Sequence, residues 1–247
     1  MTISEILKRG AAELNVPLSD EQISSLERYS DILKEKNKVM NLTAVTDDEG
    51  IAVKHFLDSL TALQTGKVGK SVIDVGTGAG FPGLVLKLAR PDISLTLLDS
   101  LNKRITFLKE TAALIGAGEN TEFIHARAED AAMNAKLREK FDTAVSRAVA
   151  NMRVLSEWCL PFVRTGGYFL ALKGPAAERE LEEARRAIFI LGGEVENVFD
   201  AHIPFSELEH KIIIIKKVRR TPSKFPRKPG IAVKSPIETC YNLSKNK

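Results

Sequence analysis

The run Asp74-Val75-Gly76-Thr77-Gly78-Ala79-Gly80-Phe81-Pro82-Gly83 constrains the fold of this chain more than any other segment. It overlaps the short apolar run Val72-Ile73-Asp74-Val75 and leads into a helical pattern over 82–90. Glycines at such a turn allow left-handed backbone angles and let another molecule approach without a Cβ in the way. Pro82 suits a first helical turn, where its missing N–H costs nothing. Strand, glycine turn and helix in this order open a parallel sheet of the kind that binds ligands at the carboxyl ends of its strands.

The alternation then repeats. Segments 94–99, 121–126, 142–146 and 167–173 read as further strands, and 102–115, 151–163 and 176–191 as helices. The strands are near-continuous apolar runs, which predicts a parallel sheet covered on both faces. Two more strands, about 194–199 and 209–217, have no long helix between them, so a terminal hairpin with an antiparallel last strand is expected. Upstream the pattern is helical. Ile3, Ile6, Leu7 and Leu14 recur at helical spacing, and Ser19 precedes Gln22 at capping-box distance. Ile23, Leu26, Ser30 and Leu33 continue one face. Thr46 followed by Glu49 reads as another helix start, with Val53, Phe56, Leu57 and Leu60 on its apolar side. Three residues apart on that helix, His55 and Asp58 are expected to touch. The predicted fold is therefore α/β, with a doubly wound, mostly parallel sheet, an antiparallel last strand and a helical N-terminal extension. Its predicted parts are a helical cap over 1–65 packed on the core, a core over 66–220, and a basic, proline-rich tail over 221–247. Pro222, Pro226, Pro229 and Pro236 argue against regular structure in that tail.

The net charge of +4 is uninformative, but its distribution is not: residues 211–234 hold many Lys and Arg and no Asp or Glu. Local asymmetry of this kind points to a polyanion, against the plainer reading of a solvated tail. Cys159 and Cys240 are too far apart in sequence for a ligand spacing, so neither a disulfide framework nor a zinc site is expected. The first residues lack the basic and apolar regions of a signal peptide, and no apolar run approaches the roughly 20 residues of a membrane span. A cytoplasmic monomer is the default expectation.

The glycine turn narrows the ligand. The dinucleotide fingerprint wants a third glycine where Phe81 stands, and a P-loop wants Gly-Lys-Ser/Thr, which is absent. The Gly-x-Gly-x-Gly spacing, with an acid before it at Asp74, instead resembles the first motif of class I methyltransferases. There the loop wraps the amino-acid and ribose parts of S-adenosylmethionine. Asp99 ends the next strand about twenty residues on, the offset at which an acid receives ribose hydroxyls. Its plainer role is to cap the helix that follows. The Ala126-Arg127-Ala128-Glu129-Asp130 loop neighbours the glycine turn by chain order and is placed either to cover an adenine or simply to begin a helix. The fourth strand ends Val145-Ser146-Arg147-Ala148, without the Asp/Asn-Pro-Pro-aromatic tetrapeptide of amino-group methyltransferases. Cys159 has no legible activating neighbour and reads as a small hydrophobe. An acceptor with no proton to remove, such as guanine N7, remains compatible.

Several strings together resemble one family. They are Asn37-Lys38-Val39-Met40-Asn41-Leu42-Thr43-Ala44, His55-Phe56-Leu57-Asp58-Ser59-Leu60, the glycine turn with its Gly-Phe-Pro-Gly ending, Leu98-Asp99-Ser100-Leu101-Asn102-Lys103-Arg104, Ser146-Arg147-Ala148, Ala171-Leu172-Lys173-Gly174 and Pro226-Arg227-Lys228-Pro229-Gly230. The combination resembles the bacterial glucose-inhibited division protein B family, 16S ribosomal RNA methyltransferases acting on guanine N7 in the decoding region. The resemblance implies that Asp74, Gly76, Gly78, Gly80 and Phe81 form the cofactor loop, that Asp99 takes the ribose, and that Ala128 and Glu129 flank the adenine. It implies a place for Arg147 near the methionine carboxylate or the incoming base, and makes Arg147 and Lys173 the candidate catalytic residues. His55 and Asp58 match without a derivable role, and a structural hydrogen bond between them is the preferred reading. Arg219, Arg220, Arg227 and Lys228 are expected to hold RNA phosphates, on 16S ribosomal RNA or the small ribosomal subunit. The competing expectations are a methyltransferase for a small molecule or protein, and an RNA-binding module that keeps the cofactor without catalysis.

Overall fold

In the computed structural model, which describes residues 1–207 and 209–238, two reciprocal caps start the first two helices. Thr2 and Glu5 cap each other at the head of α1 (Ile3–Glu13), and Ser19 and Gln22 do so for α2 (Asp20–Met40). Each such cap contributes about 1 kcal/mol. The next helix, α3 (Asp48–Ile51), starts one residue later than the sequence suggests. Asp47, not Thr46, is its cap, accepting the Gly50 N–H at 2.7 Å. A π-helical turn, Ala52–Leu57, then runs directly into α4 (Asp58–Gln64).

From there strand and helix alternate: β1 (Ser71–Val75), α5 (Gly83–Ala89), β2 (Ser94–Asp99), α6 (Asn102–Leu114), β3 (Thr121–His125), α7 (Ala128–Ala131), β4 (Phe141–Arg147) and α8 (Met152–Cys159). After a 3-10 turn, Leu160–Phe162, come β5 (Val163–Lys173), α9 (Ala177–Ile190), β6 (Gly193–Ala201), β7 (His210–Lys217) and the short α10 (Ile231–Lys234). The sheet order is β3-β2-β1-β4-β5-β7-β6. β7 runs antiparallel to both β5 and β6, and the other neighbouring pairs are parallel. The chain moves outward from β1 through β2 to β3 and returns to β4 on the other side of β1. The switch point thus lies between β1 and β4, where a doubly wound sheet opens a crevice.

Alternate residues of each strand feed two separate cores, which is why the strands read as unbroken apolar runs. Val72, Leu97, Ile212 and Ile214 join one core with the N-terminal helices. Ile73, Leu98, Ile213 and Ile215 join the other with α8 and α9. Each fully buried isoleucine contributes about 1.5–3 kcal/mol. The N-terminal helices share the first core with the sheet, and Gln22 Nε2 donates to the carbonyls of Leu88 and Ala89 at the end of α5.

The described part of the proline-rich segment is docked on the body, and it holds the short α10 where the prolines argued against regular structure. Thr221, Phe225 and Ala232 are buried, and Phe225 joins the second core. Lys217, at the end of β7, is fully buried. Its ammonium donates to the carbonyls of Leu160 and Val163 and to Thr221 Oγ1, which holds the start of this segment in place. Cys240 lies outside the described residues.

Candidate active site

At the switch point a crevice of about 480 Å³ opens over the carboxyl ends of β1, β2 and β4, within the ordinary range for small-molecule sites. The glycine turn forms one wall. Gly76 and Gly78 have φ of 72° and 62°, the left-handed region that glycine enters freely. A Cβ built on Gly78 meets nothing nearer than the Gly76 carbonyl at 3.9 Å, so this position faces open space. Asp99 forms the facing wall. Its carboxylate accepts the Gly78 N–H at 3.0 Å, the Leu101 N–H at 2.9 Å and an Arg104 N–H at 3.3 Å. It is buried, yet it lines the crevice. Ala128 and Glu129, at the start of α7, line a further part. Glu129 is held by the Gly230 N–H at 3.1 Å, which ties the C-terminal segment to this wall.

The remaining members of the predicted loop fall elsewhere. Asp74 and Gly80 do not line the crevice; they shape the turn from behind. Asp74 Oδ2 accepts the Thr77 hydroxyl at 2.7 Å and the Gly83 N–H at 2.9 Å. Burial pushes its carboxyl up to about 6 against those two bonds. Gly80 packs so tightly that a Cβ there meets the Tyr29 hydroxyl at 2.3 Å. That hydroxyl donates to the Ala79 carbonyl at 2.5 Å, so α2 braces the turn directly. Phe81 does line the crevice, stacked between Tyr29 and His55 with centroid distances of 5.4 and 4.6 Å.

Arg147 separates the crevice from a second cavity. Its guanidinium donates to Asp58 at 2.6 Å, to the Lys54 carbonyl at 3.0 Å and to His55 Nδ1 at 3.2 Å. It also lies 5.0 Å from the Phe81 ring centroid. The expected His55–Asp58 bond is therefore corrected: Arg147 bridges the two. The π turn is the reason, since its i→i+5 pairing changes the spacing that brings residues three apart together in an α-helix. His55 Nδ1 also lies 3.0 Å from the Lys54 carbonyl, and its Nε2 lies 2.7 Å from Thr43 Oγ1, so both ring nitrogens are engaged. Burial and the Arg147 charge push the His55 imidazole down to about 4. Asp58 is buried, but bonds from His210 and Arg147 outweigh that and hold its carboxyl below the usual range.

This fixes a pH dependence. In an unfolded chain His55 protonates near 6.5, so between pH 6.5 and about 4 the unfolded state binds the extra proton. Stability from this group is complete above pH 6.5 and is lost as pH falls toward 4. The urea midpoint of the native protein is expected to drop more from pH 7 to pH 4.5 than that of His55→Gln. Equal drops would contradict the neutral, half-buried imidazole.

The second cavity, about 540 Å³, is lined by Lys54, Asp58, Lys173, Glu180 and His210 among others. Lys173 is placed here rather than in the crevice at the glycine turn, paired with Glu180 at 2.7 Å. His210, Glu180 and Tyr29 were not legible as site residues. His210 and Glu180 reach this cavity from β7 and α9, and Tyr29 braces the glycine turn from α2, with no local motif to announce them. Cys159 is buried and its thiol is pushed well up by that burial, which leaves it inert.

The expected phosphate contacts divide. Arg220 and Lys228 are exposed. Arg219 is exposed too, but its guanidinium lies over Phe189 at 4.4 Å and donates to the Phe189 carbonyl. Arg227 departs from expectation: it makes three side-chain bonds to the fully buried Glu157, at 2.7–3.2 Å. A buried carboxylate needs a fixed cation, so this guanidinium is committed to the fold.

The residues present suit a nucleoside rather than a nucleotide diphosphate. The turn lacks the P-loop lysine, and buried carboxylates at Asp99 and Glu129 stand where phosphates would be repelled. The Bacillus cereus O-methyltransferase in complex with SAH superposes with a TM-score of 0.57 at 15% identity, covering 85% of this chain and 96% of that one. The O-methyltransferase TomG from Streptomyces achromogenes, in complex with SAM, gives 0.54 at 15% identity, covering 79% and 90%. These show the class I, Rossmann-like methyltransferase fold. The ribosomal RNA small subunit methyltransferase G of Alkaliphilus oremlandii is 51% identical over 240 residues, 96% of this chain and 100% of its own. That of Alkaliphilus metalliredigens is 49% identical over 235 residues, 94% and 98%. A family model for rRNA small subunit methyltransferase G, GidB, matches residues 22–210. Matched by this family model over most of its length and by relatives about half identical to it, the chain belongs to the GidB family of rRNA small subunit methyltransferases.

Proposed function

We propose that this protein methylates N7 of a guanine in the decoding region of 16S ribosomal RNA, with S-adenosylmethionine as donor. The observation that carries the reading is Asp99: a buried carboxylate, at the ribose offset, that forms a wall of the crevice and is oriented by the Gly78 amide. When bound, the donor supplies an electrophilic methyl group on a sulfonium. Asp99 would accept hydrogen bonds from the ribose hydroxyls, the backbone at Gly76 and Gly78 would hold the amino-acid end, and Ala128 and Glu129 would flank the adenine. The guanine lone pair at N7 would form the new bond to carbon as the bond from carbon to sulfur breaks, and the positive charge would pass from sulfur to the base. No proton leaves N7, so the protein has only to align the reactants. Arg147, locked by Asp58 and His55, is the fixed boundary against which the base is set.

The substrate reading includes the basic C-terminal segment, with Arg219, Arg220 and Lys228 as phosphate contacts, and a monomer working in the cytoplasm, where ribosomes are. Among the described residues no helix is long and apolar enough to cross a membrane. Neutralising Arg219, Arg220 and Lys228 together is expected to weaken RNA binding and to lower its salt slope by about 2, at roughly 0.7 per phosphate contact. Melting temperature should barely change. Arg227→Ala behaves differently, because it strands Glu157: a loss of about 3–5 kcal/mol in stability is expected. Salt titrations and urea melts separate the two outcomes, and an unfolded triple variant or a stable Arg227→Ala would refute this division.

The activity is tested with methyl-labelled S-adenosylmethionine and small ribosomal subunits. Label recovered as 7-methylguanosine supports the reading. Label in another base, or only in protein or small molecules, overturns it.

A further inference from the structure

The cavity beyond Arg147 shares His55, Arg147, Ala148 and Val149 with the cofactor crevice. Whatever fills one therefore abuts whatever fills the other. It is bounded by the ends of β4 and β5, the start of β7 and the first turns of α9. One ion pair in its wall has an uncommon division of bonds. Lys173 Nζ donates to Glu180 Oε2 at 2.7 Å and to the Ala150 carbonyl at 2.6 Å. The Met152 N–H donates to the same Oε2 at 3.0 Å. Glu180 Oε1 has no partner among the described residues, and Lys173 retains one of its three N–H groups. The wall thus presents a free carboxylate oxygen beside a free ammonium proton. Lys173 follows Leu172, which is in register with Arg147, and Glu180 stands farther along the chain in α9.

A donor and an acceptor side by side can pair with the edge of guanine, where the O6 acceptor stands next to the N1–H and N2–H donors. An extruded base is read at this edge by enzymes that act on nucleobases. We infer that Glu180 is the specificity-determining residue of the acceptor cavity, taking the N–H donors of guanine while Lys173 donates to O6. The inference rests on the proposed methyl transfer to guanine and names how that base is chosen. Glu180 also has a plainer use, holding Lys173 and the first turn of α8, and the test must tell the two apart.

The test pairs a variant with an altered base. Once the methylated position is mapped, transcripts are ligated that carry guanosine or inosine there; inosine lacks only the N2 amino group. Native protein is expected to methylate the guanosine transcript about tenfold faster or more, the effect of one hydrogen bond to a charged group. Glu180→Gln keeps an amide oxygen for Lys173 and Met152 but turns a donor toward the cavity. Its rate on guanosine should fall about tenfold or more, and its preference over inosine should shrink to within about threefold. The melting shift produced by S-adenosylmethionine should match that of the native protein, which checks folding. A purely structural Glu180 would slow both transcripts alike and preserve the preference, and that result overturns the inference. So does a native protein that treats the two transcripts equally. If native protein transfers no methyl to the guanosine transcript while still binding the cofactor, the acceptor reading itself has failed and the inference falls with it.

Discussion

Gly78→Asp is expected to abolish binding of S-adenosylmethionine while leaving the protein folded. The loss should be on the order of a hundredfold or more in affinity, at least about 2.7 kcal/mol. The reasoning is local. Gly78 has a φ of 62° and open space where a Cβ would stand. An aspartate there strains the backbone by roughly 1–2 kcal/mol, too little to unfold a domain of this size. Its side chain, however, enters the crevice beside Asp99, whose Oδ2 is 3.0 Å from the Gly78 nitrogen. The new carboxylate fills the ligand's space and repels the acid that would hold the sugar. Gly80→Ala is the contrasting control. Its Cβ would collide with Tyr29, Leu84 and Leu108 at 2.3–3.0 Å, with φ at 103°. That variant should lose stability. A thermal-shift titration distinguishes them: Gly78→Asp melts near the native temperature but does not respond to the cofactor. A normal response would mean the crevice is not the cofactor site.

Arg147→Met carries the second large effect, on both stability and activity. Arg147 and Asp58 form a largely buried pair, with side-chain exposures of 15% and 4%. Removing the cation leaves Asp58 with His210 alone and strips partners from His55 and the Lys54 carbonyl. Breaking such a pair costs about 3–5 kcal/mol, or a fall in Tm on the order of 10 °C for a chain of this length. The double variant Arg147→Met with Asp58→Asn removes the stranded charge and should regain much of that loss. Methyl transfer should stay low in both, because the boundary between crevice and cavity is gone in both. If the double variant recovers activity along with stability, Arg147 serves only the fold.

The parts of the molecule written in local patterns were legible. Ser94 to Asp99 forms a strand with the expected bounds, Ser19 and Gln22 cap the second helix as spaced, and the last strand runs antiparallel. Each of these depends on neighbours within a few residues, or on an apolar run long enough to mark a buried strand. The glycine turn was legible as the wall of a crevice for the same reason. The failures share the opposite property. Nothing near Arg227 shows that Glu157 waits seventy positions away in the core, so a structural arginine looks like a phosphate contact. Lys217 counts as one more cation in the basic run over 211–234, yet three acceptors bury it. The π turn has no period that separates it from an α-helix, and with it went the geometry of His55 and Asp58. His210 and Glu180 enter the second cavity only because β7 folds back beside β5 and α9 packs against α8. Asp74 and Gly80 lie in the motif but act behind it, since a turn needs support as well as a face.

A crystal structure of the protein with saturating S-adenosylmethionine is the most direct measurement. The nucleoside should lie along Gly76 and Gly78, with the Asp99 carboxylate within hydrogen-bond distance of both ribose hydroxyls. A ligand bound elsewhere, or an Asp99 that still meets only Gly78, Leu101 and Arg104 while the sugar faces solvent, would contradict the account.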